Sequence, residues 1–151
     1  MANIQQEIGK REPFASLEEE ALLNLLKTTD TVELSLSRLF REFGLTMSQY
    51  NVLRILNGEG RPMPCHEIID RMIQTVPAMT GLVDRLERQE LLKRHRSTED
   101  RRQVQIAITP KGSDLVNQIA APLKKLHSEL LGHLTKTKLK QLSAVLTEIR
   151  R

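Results

Sequence analysis

The chain has 151 residues, 39% of them hydrophobic, with 23 Lys and Arg against 19 Asp and Glu and a formal net charge of +4. That length favours one domain with its own core, and an aromatic content of 3% with no Trp makes the core aliphatic. A single Cys excludes an intramolecular disulfide framework and fits a reducing compartment, and no secretory or membrane-length apolar run is present, so a cytoplasmic protein with no membrane partner is expected.

Residues 1–15 read as a loose arm. Ser16 and Glu19 then form the S-x-x-E pattern of a capping box, which predicts a long helix over residues 16–43. Gly44 follows, ready to end that helix in a left-handed cap. Leu22, Leu25, Leu26, Leu36, Leu39, Phe40 and Phe43 give it more apolar surface than a small domain can cover. Part of that surface is therefore expected to pack on a second copy of the chain. A second helix is predicted over residues 46–56 with Tyr50, Leu53, Ile55 and Leu56 inward, broken by Asn57, Gly58, Gly60, Pro62 and Pro64.

A short third helix over residues 66–72 is followed by a tight turn at Ile73 and Gln74. The next helix is predicted to open at Thr75, whose hydroxyl can cap, with Pro77 in the first turn where its missing N–H costs nothing. Met79, Leu82, Val83 and Leu86 form its buried stripe, while Thr80, Gly81, Asp84, Arg85 and Arg88 fall on or beside the opposite face. After Gln89 an extended run starts at Leu91 and Leu92, and Val104, Ile106 and Ile108 alternate with Gln103, Gln105, Ala107 and Thr109. Between these strands lies RHRSTEDRR, too polar to bury. Thr109 and Pro110 then open a helix to about Leu134 with a bend expected at Pro122, and Thr135 caps a last helix carrying Leu139, Leu142, Val145, Leu146 and Ile149. Short helix, turn, helix and hairpin, in that order, make a winged helix-turn-helix, so the fold class is mainly α with a small β-hairpin wing.

Charge is unevenly distributed. Residues 1–44 carry five basic and eight acidic side chains, a net of −3, whereas residues 85–110 carry seven and four, a net of +3. A local cationic tip is what phosphate contact requires. Residues 111–151 carry eight basic and three acidic side chains, a net of +5, and there the lysines read as an ordinary solvated face.

The ordered set Leu45-Thr46-x-x-Gln49 with Val52-Leu53, Met79-Thr80-x-Leu82-Val83-Asp84-Arg85-Leu86-Glu87, Leu91-Leu92-x-Arg94, Asp100-Arg101-Arg102 and Ile108-Thr109-Pro110-Lys111-Gly112 resembles the multiple-antibiotic-resistance regulator (MarR) family of bacterial transcription factors over nearly the whole chain. The resemblance implies a homodimer that binds double-stranded DNA at a palindromic operator, most simply a ligand-responsive repressor. It implies a single domain over residues 1–151, with residues 16–43 and 110–151 as dimerisation helices and residues 45–109 as the DNA-binding lobe. The recognition helix maps onto residues 75–88, with Thr75, Pro77, Ala78, Thr80, Gly81, Arg85 and Arg88 facing DNA. The wing maps onto Arg96, Asp100, Arg101 and Arg102, with Arg102 entering the minor groove and Asp100 orienting an arginine. An arginine in a narrow A·T-rich minor groove reads shape, which agrees with a recognition face short of base-reading Arg, Asn and Gln. Glu90 stands where the family often has Gly, so either the backbone there avoids positive φ or Glu90 is mildly strained.

Other readings are weaker. Cys65 opens the third helix, where the positive helix end could lower its pKa, but a partly buried structural thiol is the preferred reading. Cys65 and His66 are adjacent, and His127 and His133 lie on different helix faces, so no metal or cofactor is expected. The family's effectors, small aromatic or carboxylate compounds, bind between helical base and DNA lobe; Phe43, Tyr50 and Met72 fall in that region but read first as core. There is no nucleophile–base constellation, P-loop or dinucleotide fingerprint, so the chain is not expected to be an enzyme. The alternative from another class is a winged helix used for protein–protein contact without DNA, against which the arginine-rich wing argues.

Overall fold

The computed structural model describes residues 3–96 and 103–151. It forms two compact units, Met1–Leu36 and Ser37–Arg151. The elements in chain order are α1 (Ile4–Glu7), α2 (Leu17–Glu42), α3 (Met47–Glu59), β1 (Met63–Pro64), α4 (Cys65–Asp70), α5 (Met79–Arg88), β2 (Leu92–Arg96), β3 (Val104–Ile108), α6 (Pro110–Leu131) and α7 (Lys136–Ile149). Among the described residues no helix is long and apolar enough to cross a membrane.

In the first unit the arm expected at residues 1–15 is partly ordered. Asn3 and Gln6 make a reciprocal capping box at α1, and Ile4 is buried. The S-x-x-E pattern does open α2: the Glu19 N–H donates to Ser16 Oγ at 3.1 Å, while the Glu19 carboxylate takes the N–H of Ala15 rather than of Ser16. Leu17, Leu22, Leu26 and Leu34 on α2 are all exposed.

In the second unit local signals set most boundaries. Helix α2 ends in a Schellman motif, with Gly44 at φ 72° and the Leu45 N–H reaching the Phe40 carbonyl at 3.0 Å. Thr46 and Gln49 make a full capping box at α3. That helix runs through Gly58 to Glu59 and stops at Gly60, φ 68°, because Gly60 and not Gly58 takes the left-handed turn. Seven of its residues, Gln49, Tyr50, Asn51, Val52, Leu53, Ile55 and Leu56, are buried, and it lies against α5, α6 and β3 as the central strut of the core. Tyr50 stacks on Phe40 at 4.3 Å between ring centroids, which places it in the core, as expected for one of the three crevice residues.

The hairpin strands pair antiparallel, Leu92 opposite Ile108 through Arg96 opposite Val104. A third strand was not expected from the sequence: β1, only Met63 and Pro64, pairs with β3 through Met63 and Ile106, giving the order β1-β3-β2. Helix α6 continues through Pro122 and ends at Leu131, three residues short of the predicted end. Thr135 caps α7 as predicted, its Oγ accepting from the Lys138 N–H at 3.3 Å, yet no residue of α7 is buried.

Candidate nucleic-acid interface

Helix α5 buries the stripe the spacing predicts: Met79, Leu82, Val83 and Leu86. Thr80, Arg85 and Arg88 are exposed, and Gly81 and Asp84 are half-buried. Its start is corrected, however. The N-cap is Ala78 and makes no side-chain cap, so Thr75 neither opens nor caps the helix. Pro77 contributes to this, because its ring disfavours helical geometry at Val76, the residue that would follow a cap at Thr75. Thr75, Pro77 and Ala78 are exposed instead in an eight-residue connection between α4 and α5, longer than the predicted turn. Ala78 offers no side-chain oxygen to the first N–H groups of α5, and a helix start favours an anion.

The far end of α5 carries the strain that the sequence left open. Glu90 sits at φ 61°, the only described non-glycine residue with positive φ. It occupies the place of glycine in a second Schellman motif: the Leu91 N–H reaches the Leu86 carbonyl at 3.0 Å and the Glu90 N–H the Glu87 carbonyl at 2.9 Å. A non-glycine residue there costs about 1–2 kcal/mol. Neighbouring groups hold the turn in place. Thr109 Oγ donates to the Glu90 carbonyl at 2.7 Å and accepts from the Gly112 N–H at 3.1 Å, capping α6 at the same time. Lys111 Nζ donates to the Gln89 carbonyl at 2.9 Å and lies 3.4 Å from the Glu90 carboxylate, a favourable cation at a helix C-terminus. Gly112 is required because a Cβ there would stand 2.1 Å from the Leu91 carbonyl oxygen. The Thr-Pro-Lys-Gly run thus welds the end of α5 to the start of α6.

The strongest side-chain cluster is one that sequence reading did not single out. Arg94 on β2 donates to Asp84 Oδ1 at 2.5 Å and to Glu87 Oε2 at 2.6 Å, and its backbone N–H meets Glu87 Oε1 at 3.1 Å. Desolvation works against the Arg94 charge, but the two carboxylates outweigh it and hold the guanidinium above its ordinary pKa. The only sequence signal was Arg94 in the quoted motif, with Asp84 and Glu87 at helical spacing ten and seven residues before it. Asp84 is therefore engaged by the strand and does not present itself on the open face. Arg85 and Arg88 make no ion pair with any described residue, and Arg96 is exposed at the end of β2. Asp100, Arg101 and Arg102, the expected wing tip, lie outside the described residues.

Beside the hairpin, Pro64, Cys65, His66, Ile69, Gln103 and Val104 line an open apolar groove of about 500 Å³. Cys65 is half-buried there, and burial pushes its thiol up, with Arg94 opposing. The helix-end effect that the sequence allowed does not win. Further along α3 and α4, Arg61 bridges Glu59 and Glu67 at 2.9 Å each, and Arg71 also pairs with Glu59. The Arg71 hydrogen bond leads in holding the Glu59 carboxyl below the usual range. These solvent-facing pairs tie the end of α3 to α4 and the residues that flank it.

Comparison with known proteins places this geometry. Residues 45–104 match the model of the MarR family. A crystal structure of a MarR transcription factor from Planctomyces limnophilus is 34% identical, with a TM-score of 0.69, covering 89% of this chain and 98% of that one. The homoprotocatechuate degradative operon repressor of Escherichia coli is 29% identical over 108 residues, 72% of each chain. The organohalide-sensing regulator RdhR-CbdbA1625, solved with 2,4-dichlorophenol bound, shares the fold at a TM-score of 0.81 and 19% identity, covering 93% of this chain and 86% of its own.

Proposed function

This chain belongs to the MarR family of transcriptional regulators, and from that premise we propose that it is a cytoplasmic, ligand-responsive repressor that binds a palindromic operator as a homodimer. One observation carries the reading. Helix α5 spends its apolar stripe on the core and leaves Thr80, Arg85 and Arg88 exposed, next to a hairpin that ends its described part in exposed Arg96. In this reading α5 enters the major groove with Thr75, Pro77, Ala78, Thr80 and Gly81 near base edges. Ala and Thr methyl groups suit contact with thymine methyls, and the N–H groups at the start of α5 suit a phosphate. Arg85, Arg88 and Arg96 bind backbone, Arg101 contacts DNA from the wing, Arg102 enters the minor groove, and Asp100 orients an arginine.

The lobe of residues 45–109 is the reading head, and the helices over residues 16–43 and 110–151 hold two heads apart. Exposed Leu17, Leu22, Leu26 and Leu34 on α2 and Leu142, Val145 and Ile149 on α7 supply apolar surface for that dimer. The heads must meet grooves about 34 Å apart. The bound dimer excludes RNA polymerase from the promoter. A small aromatic or carboxylate effector releases it by binding a misspaced form better than the DNA-bound one.

The experiment is selection of bound sites from a random duplex pool, followed by Arg102→Ala on the selected operator. Palindromic half-sites one turn apart with A·T-rich flanks are expected, and the variant should bind roughly tenfold more weakly with an unchanged melting temperature. Affinity within about twofold of wild type ends the minor-groove assignment. Absence of any duplex binding at low salt ends the DNA reading and leaves the protein-contact alternative.

A further inference from the structure

The two halves of the reading head are joined by one arginine. Strand β2 is an outer strand of the sheet, paired on one side with β3 and anchored by fully buried Leu92. Strand alternation places Leu92, Arg94 and Arg96 on one face, running from core outward. Leu92 fixes the strand in the lobe, and its pairing with β3 fixes the hairpin. The turn at Glu90 joins that strand to α5, where the Leu91 N–H reaches the Leu86 carbonyl at 3.0 Å. Arg94 adds a side-chain fastening beyond the turn: its guanidinium reaches Asp84 Oδ1 at 2.5 Å, Glu87 Oε2 at 2.6 Å and the Thr80 carbonyl at 3.5 Å. Thr80, Asp84 and Glu87 recur at four and three residues, a single stripe along two turns of α5. The Glu87 carboxylate also holds the Arg94 backbone N–H at 3.1 Å, so strand backbone and side chain are both fastened to the helix. A planar fork with donors on two nitrogens can satisfy two carboxylates at once, which an ammonium cannot do with the same geometry.

We infer that Arg94 is a positioning residue for DNA recognition: clamped by Asp84 and Glu87, it fixes where the wing stands relative to α5, so that groove contacts from helix and wing are delivered as a unit. The inference rests on the DNA-binding reading above. It requires that Arg94 spend its charge inside the protein, and that Asp84 and Glu87 face the strand rather than the nucleic acid.

The test uses the full-length dimer with the selected operator and four variants. Arg94→Ala should weaken binding roughly tenfold, with Arg94→Lys restoring only part of that loss. The Asp84→Asn, Glu87→Gln double variant decides between position and charge. It removes two negative groups from a helix that meets phosphates, so a purely electrostatic role predicts tighter binding. The positioning role predicts binding weaker by roughly fivefold or more. Arg102→Ala should add little to Arg94→Ala, because a misplaced wing has already lost its contact; full additivity overturns the inference. Residual dipolar couplings on the DNA-free protein give a readout independent of DNA. In Arg94→Ala the couplings of His95 and Arg96 should change relative to those of α5, and unchanged couplings also overturn it. Wild-type protein that binds no duplex would sink the DNA reading alone, and the couplings would still decide whether Arg94 sets the position of the wing.

Discussion

Helices α3 and α7 are nearly equal in length and both are opened by a threonine whose hydroxyl accepts from the third residue of the helix. By local code they are the same object. Yet α3 buries seven of its 13 residues, and α7 buries none of its 14. The difference shows that capping and periodicity decide whether a segment is a helix, whereas burial decides what the helix is for. An isolated helix of this length is marginal in water. Helix α3 is stabilised by its own chain, as the strut of the reading head. Helix α7, with Leu142, Val145 and Ile149 exposed, keeps its apolar face for the second copy under the dimer reading.

The largest expected effect falls on α3. Leu56 has no exposed surface, and Leu56→Ala should cost about 3 kcal/mol of unfolding free energy in urea titration. A loss below about 1 kcal/mol would break the contrast, since it would mean that the strut is as dispensable as a surface helix. Next comes α7. Leu142→Asp combined with Val145→Asp should raise the dimer dissociation constant roughly a hundredfold by analytical ultracentrifugation while leaving the helical circular dichroism of dilute protein in place. A dimer that persists at low micromolar concentration would show that α7 keeps its apolar face for something else. The smallest effect sharpens the comparison within the head itself. Glu90→Gly should stabilise the protein by about 0.5–1 kcal/mol, a rise of roughly 2 °C in Tm, because relief at φ 61° outweighs an exposed pair with Lys111. No change, or a loss, would mean that the turn at Glu90 is held without strain.

Much of this was legible in the sequence because it is local. Ser16 with Glu19, Thr46 with Gln49, Gly44, Thr109 with Gly112, and Thr135 act within one turn, and the apolar stripe of α5 follows directly from its spacing. The misreadings arise where a second constraint competes. Thr75 is a good cap, but Pro77 two residues later disfavours helical backbone at Val76, where the helix would have to start. Gly58 is a helix breaker by type, but Gly60 is the residue placed to take the left-handed turn. Strand β1 is two residues held by a partner more than 40 positions away, and no pattern that short declares itself. Arg94 stood in the quoted motif without a role because its partners lie on the preceding helix, and only the fold brings them within 2.6 Å. The wing-tip residues Asp100, Arg101 and Arg102 lie outside the described part, so their role rests on the proposal and its test.

The order β1-β3-β2 has a consequence for how copies of this chain meet. A sheet can grow by accepting a strand from another molecule along any free edge. Here one edge is β1, two residues long and ending in a proline that has no N–H to offer. The other is β2, where exposed Lys93 and Arg96 follow Leu92 and would set cation against cation in an edge-to-edge pair. Both margins resist edge-to-edge stacking. Under the dimer reading, self-association then falls to helical surfaces, where it can stop at a fixed number of copies.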